Sequence, residues 1–314
     1  MTAIENAVVV KNKTRLESLI ERFNSKNQAK FYIEHAGGNF SDYEIEHEHF
    51  YRSLDIVYKK LSPLIKIKTL ERFFLPSYIF TKKDVVIVVG QDGLVANTAK
   101  YIDDIPLIAV NPDIERFDGF LLPYDPYNAD KALDNVLNGR YSYKYITMAE
   151  AKLNDGQRLL AFNDLFVGIS SHVSARYRIT YKKRSENHSS SGIIVSTGAG
   201  STGWLSSLFN MAEGITKTFA GDKSPITGRR LPLDTDHLIF IVREPFLSKT
   251  SRVNLVAGQI YKNNNLVIES FMPTNGIIFS DGIEADYMRF NSGAVAEIGI
   301  AKEKAKLVMR KKKK

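Results

Sequence analysis

Residues 84–93, Asp-Val-Val-Ile-Val-Val-Gly-Gln-Asp-Gly, decide the fold of the first part of the chain. Five consecutive β-branched residues follow Asp84, and such a run is typical of a strand that is buried on both faces of a parallel sheet. Gly90 and Gly93 then predict a tight turn, and we expect a helix over about residues 94–102. A strand, a glycine turn and a helix in this order indicate an α/β domain.

Strands and helices alternate on both sides of this segment. Apolar runs predict further strands at residues 7–10, 31–34, 65–70 and 106–110. Capping boxes at Thr14–Glu17 and Ser41–Glu44 predict two helices, of which the second runs toward Lys60. We therefore expect a Rossmann-like, doubly wound parallel-sheet domain over residues 1–125.

The sequence pattern changes after about residue 125. One segment alternates apolar and polar residues with period two, which indicates a half-buried antiparallel strand, and its apolar face consists of Val173, Ala175, Tyr177, Ile179 and Tyr181. Turn signals recur between such segments, and one helix is expected from about Trp204 to Glu213. We expect a mainly β, sandwich-like domain over residues 126–310, followed by a basic tail at 311–314.

Composition excludes several classes of function. The 314 residues are 44% hydrophobic, which is typical of a globular protein, and they include no cysteine, so a disulfide scaffold and a catalytic thiol are excluded. The first residues lack the pattern of a signal peptide and no apolar run is long enough to span a membrane, so we expect a cytoplasmic protein. Much of the net charge of +8 lies in the basic tail, which we interpret as solvated rather than as a nucleic-acid site.

The turn after the buried strand has the chemistry of a phosphate site. Ligands bind beyond the carboxyl ends of parallel strands, where Gly90, Gln91 and Gly93 would present backbone N–H groups to phosphate. A carboxylate at that position, Asp92, either holds Mg²⁺ or accepts a proton from an attacking hydroxyl, and both roles belong to phosphoryl transfer. The alternative is an aspartate that only shapes the turn.

A second glycine motif favours a different class of enzyme when it is taken alone. Residues 198–203, Gly-Ala-Gly-Ser-Thr-Gly, match the dinucleotide fingerprint of a Rossmann-type NAD(P)-dependent oxidoreductase. That fingerprint needs an acidic residue ~20 positions later at the end of a second parallel strand. Asp222 has this spacing but lies in a loop-like segment, and the motif itself lies among antiparallel patterns.

Taken together and in order, the motifs resemble those of the NAD kinases. Residues 90–93 resemble the Gly-Gly-Asp-Gly signature that NAD kinases share with diacylglycerol and sphingosine kinases, with Gln91 and Leu94 in place of a glycine and a threonine. Residues 197–204 resemble Thr-Pro-Thr-Gly-Ser-Thr-Ala-Tyr, which the lipid kinases lack, although Ser191-Gly192 precedes them where the family usually has Asp-Gly. Asn163-Asp164 resembles the family's Asn-Glu pair.

The resemblance implies a site at a cleft between the two domains. Asp92 would be the catalytic base and a ligand of Mg²⁺, and ATP would bind at Gly90, Gln91 and Gly93. The residues that the resemblance assigns to binding of the acceptor, NAD, are Asn111, Asn163, Asp164, Thr197, Gly200, Ser201 and Thr202. It also implies a homo-oligomer.

Two other functions stay open beside an NAD kinase. One is a kinase that acts on a different nucleoside, sugar or lipid hydroxyl, and the other is a non-catalytic nucleotide-binding protein. Ser280-Asp281-Gly282, near the end of the chain, we interpret as a structural hairpin turn.

Overall fold

A computed structural model describes residues 3–221 and 230–310, with the side chains of Glu284 and Ala285 excepted. Asp222 and the basic tail at 311–314 lie outside the described residues. In chain order the helices and strands are β1 (Asn6–Lys11), α1 (Arg15–Phe23), α2 (Lys26–His35), α3 (Ser41–Leu61), β2 (Lys66–Glu71), β3 (Asp84–Val89), α4 (Asp92–Ala99), β4 (Pro106–Val110), α5 (Ala129–Leu137), β5 (Ser142–Leu153), β6 (Arg158–Ala161), β7 (Asp164–Ile169), β8 (Ala175–Tyr181), β9 (Arg184–Ser190), β10 (Ile193–Ser196), α6 (Trp204–Ala220), β11 (His237–Val242), β12 (Ala257–Tyr261), β13 (Leu266–Ser270), β14 (Gly276–Ser280), β15 (Ile283–Arg289) and β16 (Val295–Met309).

The chain divides into two compact units. The first consists of Met1–Lys144 and Lys306–Lys314, and the second of Tyr145–Ala305. Strand β16 belongs to both, because its first residues pair with β13 in the second unit and its later residues pair with β4 in the first.

The first unit is built on a parallel sheet with the strand order β2-β1-β3-β4-β16. Every residue of β3 is buried, as the β-branched run predicts for a central strand covered on both faces. Helices α3 and α5 pack on one face, where Leu54, Val57 and Leu133 contact alternate residues of the strands. This confirms the predicted α/β fold of the first part of the chain.

Two local predictions for the first unit need correction. The predicted strand at residues 31–34 is wrong, since helix α2 covers it and Ser25 caps that helix by accepting a hydrogen bond from the Gln28 N–H at 3.2 Å. The helix after Ser41 is confirmed, but no capping box forms because Ser41 is its first residue and Phe40 occupies the cap position. The box at Thr14–Glu17 does form.

The second unit is a sandwich of two sheets. One contains β16, β13, β8 and β9 with β5 and β6, and the other has the order β12-β11-β10-β7-β14-β15 with antiparallel pairing throughout. One apolar core draws on both sheets, with Val167, Val195 and Phe240 from the second and Tyr177 and Ile268 from the first. The β-rich second part of the fold is thereby confirmed.

The period-two pattern and the predicted helix are both present in this unit. Ala175, Tyr177, Ile179 and Tyr181 of β8 are buried, whereas Val173 lies before the strand and is 63% exposed. Helix α6 begins at Trp204 as predicted and continues to Ala220. None of the helices in the described ranges is both long and apolar enough to cross a membrane.

Candidate functional site

The turn after β3 contains two glycines in different surroundings: Gly90 is packed against a side chain, and Gly93 is exposed. A Cβ atom on Gly90 would lie 2.8 Å from Leu94 Cδ2, so the leucine side chain already covers this glycine. A Cβ on Gly93 would meet no atom within 4 Å. Gln91 occupies the N-cap position of α4, and its side chain is exposed and makes no capping hydrogen bond. Backbone at Gly93 is therefore accessible to a ligand at the N-terminus of α4, where N–H groups favour anions.

A cavity of about 280 Å³ lies at this turn in the first unit. It is located where the strand order reverses between β1 and β3, which is the position at which doubly wound sheets bind ligands. The residues that line it come from the turns after both strands and from neighbouring elements: Asn12, Lys13, Thr14, Arg15, Glu46, Phe50, Arg72, Val89, Gly90, Gln91, Gly93, Leu94, Pro112, Asp113 and Phe117. The cavity therefore includes all three predicted donor-binding residues.

Three cations surround this cavity, and sequence reasoning missed them. Lys13 pairs with Glu21, and Arg15 pairs with Glu46. Arg72 makes no ion pair or hydrogen bond with its side chain anywhere in residues 3–221 or 230–310. An unpaired guanidinium beside a helix N-terminus suits the phosphates of a nucleotide.

Asp92 holds the loop that follows β4. Its carboxylate accepts hydrogen bonds from the backbone N–H groups of Phe120, at 3.0 Å, and Leu121, at 2.9 Å. Each carboxylate oxygen has two acceptor positions, so one position on each remains for a hydroxyl or a cation. The loop thus fixes the orientation of the predicted catalytic side chain.

Asn111 supports the same loop from the other end. The side chain is buried, donates to the Phe117 carbonyl oxygen at 2.8 Å and accepts from the Asp113 N–H at 3.0 Å. Its polar atoms are therefore engaged with backbone, and its contribution in this structure is to the shape of the loop that binds Asp92.

The other predicted acceptor residues come together in the second unit. Asp164 at the start of β7 pairs in register with Ser196 at the end of β10, which brings the Asn-Asp pair beside the loop at residues 197–202. Thr197 joins the two segments, since its N–H donates to the Asn163 carbonyl at 2.9 Å and its hydroxyl donates to the Phe162 carbonyl at 2.5 Å. Segments more than 30 residues apart in sequence thereby form one surface.

The residues of this loop divide into those that build it and those that face solvent. Thr197, Gly200 and Ser201 are buried, and the Ser201 hydroxyl donates to the Gly198 carbonyl and accepts from the Leu231 N–H. Asn163 and Asp164 are half-buried and Thr202 is exposed. The Asn163 side-chain amide makes no hydrogen bond with any residue in the described ranges, so it is available to a ligand.

Asp164 has an unusual electrostatic position. Burial raises the pKa of its carboxyl group from 3.8 to about 7, the nearby Asp281 carboxylate adds to the rise, and the Ser196 hydroxyl opposes it. Within the described residues, its Oδ1 atom is buried and has no hydrogen-bond partner. A buried oxygen of this kind calls for a donor, such as a hydroxyl of a bound ligand.

Asp281 is a site residue that sequence reasoning missed. It lies in the hairpin turn between β14 and β15 at φ 55°, as the turn motif predicts. Its carboxylate also accepts from the backbone N–H groups of Phe162, Asn163 and Asp164, at 3.1, 2.6 and 3.3 Å. It therefore holds the backbone of the Asn163–Asp164 pair in place, and its acidic side chain in a turn was the only signal for this role.

The Rossmann oxidoreductase alternative does not agree with the structure. The glycine motif follows β10, which pairs antiparallel with both β7 and β11, whereas the dinucleotide fingerprint requires a parallel βαβ unit. Asp222 lies outside the described residues.

No preformed metal cluster is present in residues 3–221 and 230–310: no group of three or more His, Cys, Asp or Glu side chains could hold an ion there. Mg²⁺ in nucleotide enzymes is commonly held by one or two carboxylates together with substrate phosphates. Asp92 lies in sequence between Gln91 and Gly93, which line the cavity, although Asp92 itself is not a lining residue; a single carboxylate beside a phosphate site is compatible with that arrangement.

No protein-family model matches the chain. An NAD kinase of Clostridium kluyveri is 29% identical over 155 residues, which are 46% of this chain and 53% of that protein. NAD kinases of Ruminiclostridium cellulolyticum and of a Marinomonas species are 31% and 33% identical over 129 residues, 38% of this chain in each case. The chain spans about half the length of the curated relatives it matches.

The fold comparison covers nearly the whole chain. Yeast NADH kinase, in a structure with NADH, matches 99% of this chain and 84% of its own length with a TM-score of 0.59 at 14% identity. The chain is thus similar to NAD kinases over part of its sequence and to yeast NADH kinase in its fold.

One divergence within the family motif has a structural cause. Position 198 holds glycine where the family motif has proline, and a Cβ atom there would lie 1.9 Å from the Pro232 carbonyl oxygen. The segment at residues 231–235 therefore packs directly against the backbone of the loop. A larger residue at position 198 would displace that segment.

Proposed function

We propose that the protein is an NAD kinase that transfers the γ-phosphoryl group of ATP to the 2′-hydroxyl of the adenosine ribose of NAD. One observation carries the proposal: the buried, unpartnered Oδ1 of Asp164 lies beside Asn163, whose amide is free in the described residues. Ribose hydroxyls would donate to the carboxyl oxygen and accept from the amide. The names of the curated relatives support NAD as the acceptor.

The donor is proposed to bind in the 280 Å³ cavity of the first unit. Arg72, Lys13 and the N-terminus of α4 would neutralise the negative charge of the triphosphate, and Gly93 lets the phosphates approach the backbone. Mg²⁺ would be held by Asp92 and would neutralise charge on the phosphate oxygens.

Asp92 is proposed to act as the general base. Its carboxylate would take the proton of the acceptor hydroxyl as the ribose oxygen bonds to the γ-phosphorus and ADP leaves. The two backbone hydrogen bonds from Phe120 and Leu121 would hold the carboxylate in the orientation that this step needs. Alignment of the reacting groups contributes most of the rate in phosphoryl transfer.

Two further properties belong to the same proposal. The absence of cysteine suits a reducing compartment such as the cytosol, and the family resemblance supports assembly as a homo-oligomer.

The test is to incubate the purified protein with Mg-ATP and NAD and to measure NADP. NADP should form with the wild-type protein, and Asp118→Asn, which changes an exposed aspartate of the same loop, should leave the rate unchanged. If the protein consumes ATP with another acceptor but not with NAD, that other acceptor is the substrate and the NAD assignment is wrong.

A second candidate is a nucleotide-binding protein without catalysis. The observation that favours it is that both carboxylate oxygens of Asp92 already bind backbone N–H groups. Such a protein would be stabilised by NAD or ATP in a thermal unfolding assay, as any ligand of the folded state stabilises it, while producing no ADP.

A further inference from the structure

A cavity of about 410 Å³ lies in the second unit beside β9, the last strand of its sheet. Its lining comes from β8, from residues 185–187 of β9 and from the loop at residues 243–256, which connects β11 and β12 of the other sheet. β8 contributes Arg178, and the loop contributes Lys249, Thr250 and Arg252. These residues belong to neither of the proposed substrate sites, so those sites do not explain this cavity.

Backbone hydrogen bonds fix the loop along β9. The Phe246 N–H donates to the Ser189 carbonyl oxygen at 2.9 Å. Farther along the loop, the Arg252 N–H donates to the Asn187 carbonyl oxygen, also at 2.9 Å. Between these two anchors the Ser248 hydroxyl accepts from two backbone N–H groups of the same turn, at 3.2 and 3.1 Å. The part of the loop that lines the cavity is therefore held in one position before any ligand binds.

The charge of Glu186, the one carboxylate among the described residues that line this cavity, is already balanced. Its side chain is 9% exposed, and one of its oxygens accepts from the backbone N–H groups of Asn254 and Leu255, at 3.0 and 3.1 Å. The Arg184 guanidinium lies 3.6 Å from the other oxygen. Glu186 therefore fixes the end of the loop, and the rest of the lining carries a net positive charge.

Three cations line the cavity. Lys249 and Arg252 are exposed, and their side chains make no ion pair or hydrogen bond with any residue in 3–221 or 230–310. Arg178 is fixed by its neighbours, because its Nε donates to Asn187 Oδ1 and its Nη1 donates to Glu269 Oε2, both at 3.2 Å. Arginine has five N–H donors, so donors remain on Arg178 for a ligand. A fixed guanidinium beside two unpaired cations suits the oxygens of phosphate groups.

We propose that this cavity binds a small anion that carries a diphosphate group. The phosphate oxygens accept hydrogen bonds from Arg178, Lys249 and Arg252. Three cations match the several negative charges of a diphosphate better than the lower charge of a single phosphate, and the volume is within the ~300–1,000 Å³ range of small-molecule sites. The proposal does not depend on the proposed kinase activity, because its residues take part in neither substrate site.

The test is isothermal titration calorimetry of the full chain with inorganic diphosphate. NAD and a Mg-ATP analogue that cannot be hydrolysed are present at saturation, so that the proposed substrate sites are filled. Diphosphate should bind saturably, and inorganic phosphate, which supplies half of the interaction, should bind about tenfold more weakly or worse.

Arg252→Gln should weaken diphosphate binding by about tenfold or more, because it removes an unpaired cation. Arg140→Gln, the same loss of charge at an exposed position of the first unit, should leave the affinity unchanged. Both arginines are exposed, so both variants should keep the wild-type midpoint of thermal unfolding. Equal diphosphate affinity in Arg252→Gln and the wild type would overturn the proposal. So would binding that is lost in Arg72→Gln and kept in Arg252→Gln, because the diphosphate would then occupy the donor cavity.

Vesicles of phosphatidylglycerol form a further arm of the test, since Phe246 and Leu247 of the same loop are 64% and 60% exposed. If the protein cosediments with these vesicles, Phe246→Ser abolishes the cosedimentation and free diphosphate does not bind, the proposal is wrong and the loop is a membrane-binding surface.

Discussion

At the residue scale, two carboxyl groups with different roles meet at the start of β7. Asp281 accepts three backbone N–H groups, which stabilise its charged form. Asp164 is half-buried, its Oδ1 atom is buried without a partner in the described residues, and its pKa is raised to about 7. One aspartate therefore shapes the backbone while the other is left for a ligand.

The raised pKa of Asp164 predicts how stability depends on pH. Between the unfolded value of 3.8 and the folded value of about 7, the folded chain holds a proton that the unfolded chain releases. The free energy of unfolding should therefore be highest for this group below pH 4 and should decline as pH rises to 7, by roughly 2–4 kcal/mol.

Asp164→Asn should remove this decline, because the amide does not titrate. Urea unfolding at pH 5 and pH 8 measures the effect, with Asp55→Asn, a surface aspartate that is 59% exposed, as the control. An unchanged difference between the two pH values in Asp164→Asn would show that Asp164 titrates normally.

Asp281→Ala should damage the site through its backbone. Three N–H groups would lose their acceptor, at a cost of about 1–3 kcal/mol in stability, since unsatisfied buried donors are expensive. If Asp281 positions the Asn163–Asp164 pair, KM for NAD should rise about tenfold or more while KM for ATP stays constant. Equal changes in both constants would assign Asp281 to general stability only.

At the element scale, the predictable strands are those with a long or periodic pattern. β3 was predicted because five consecutive β-branched residues fit only a strand buried on both faces, and β8 because its alternation holds over seven residues. The four residues 31–34 were misassigned, since so short an apolar run does not distinguish a strand from a helix. The helix forms because Ser25 caps its N-terminus and Ala29 packs against residues of α1 and the start of α3.

The loop after β10 offers a test of packing within one element. Gly198→Ala should destabilise the protein by about 1–3 kcal/mol, because the new methyl group overlaps the Pro232 carbonyl, which is backbone and moves only with its segment. Gly214→Ala is the control, since Gly214 lies inside α6 and its Cβ would meet no atom within 4 Å. The midpoint of thermal unfolding should fall for the first variant only. Equal midpoints would mean that the segment at 231–235 is not packed on Gly198.

At the scale of the whole molecule, the site residues that lie in short sequence motifs could be predicted. The residues that reach the site only through the folding of distant segments could not. Asp92, Asn163–Asp164 and the loop at 197–202 each lie in a short motif that the sequence displays. Asp281 binds a backbone 118 residues away, and Arg72 reaches the donor cavity only because of the strand order. Neither relation leaves a local pattern in the sequence.

The proposed donor cavity lies in the first unit and the proposed acceptor surface in the second, so we expect variants of the two to act independently. Arg72→Gln should raise KM for ATP about tenfold by removing an unpaired cation, and Asn163→Ala should raise KM for NAD by a similar factor. In the double variant the two effects should multiply, because the two side chains contact different substrates and their effects are then additive in free energy. A KM for NAD that changes in Arg72→Gln alone would place this arginine at the acceptor instead.

The measurement that tests the central claim most directly is the rate of NADP formation from Mg-ATP and NAD by the wild-type protein and by Asp92→Asn. The account predicts that the wild type forms NADP and that Asp92→Asn is slower by at least about 100-fold with an unchanged circular dichroism spectrum, because it lacks the base. NADP formation by Asp92→Asn at the wild-type rate, or none by the wild type, would contradict it.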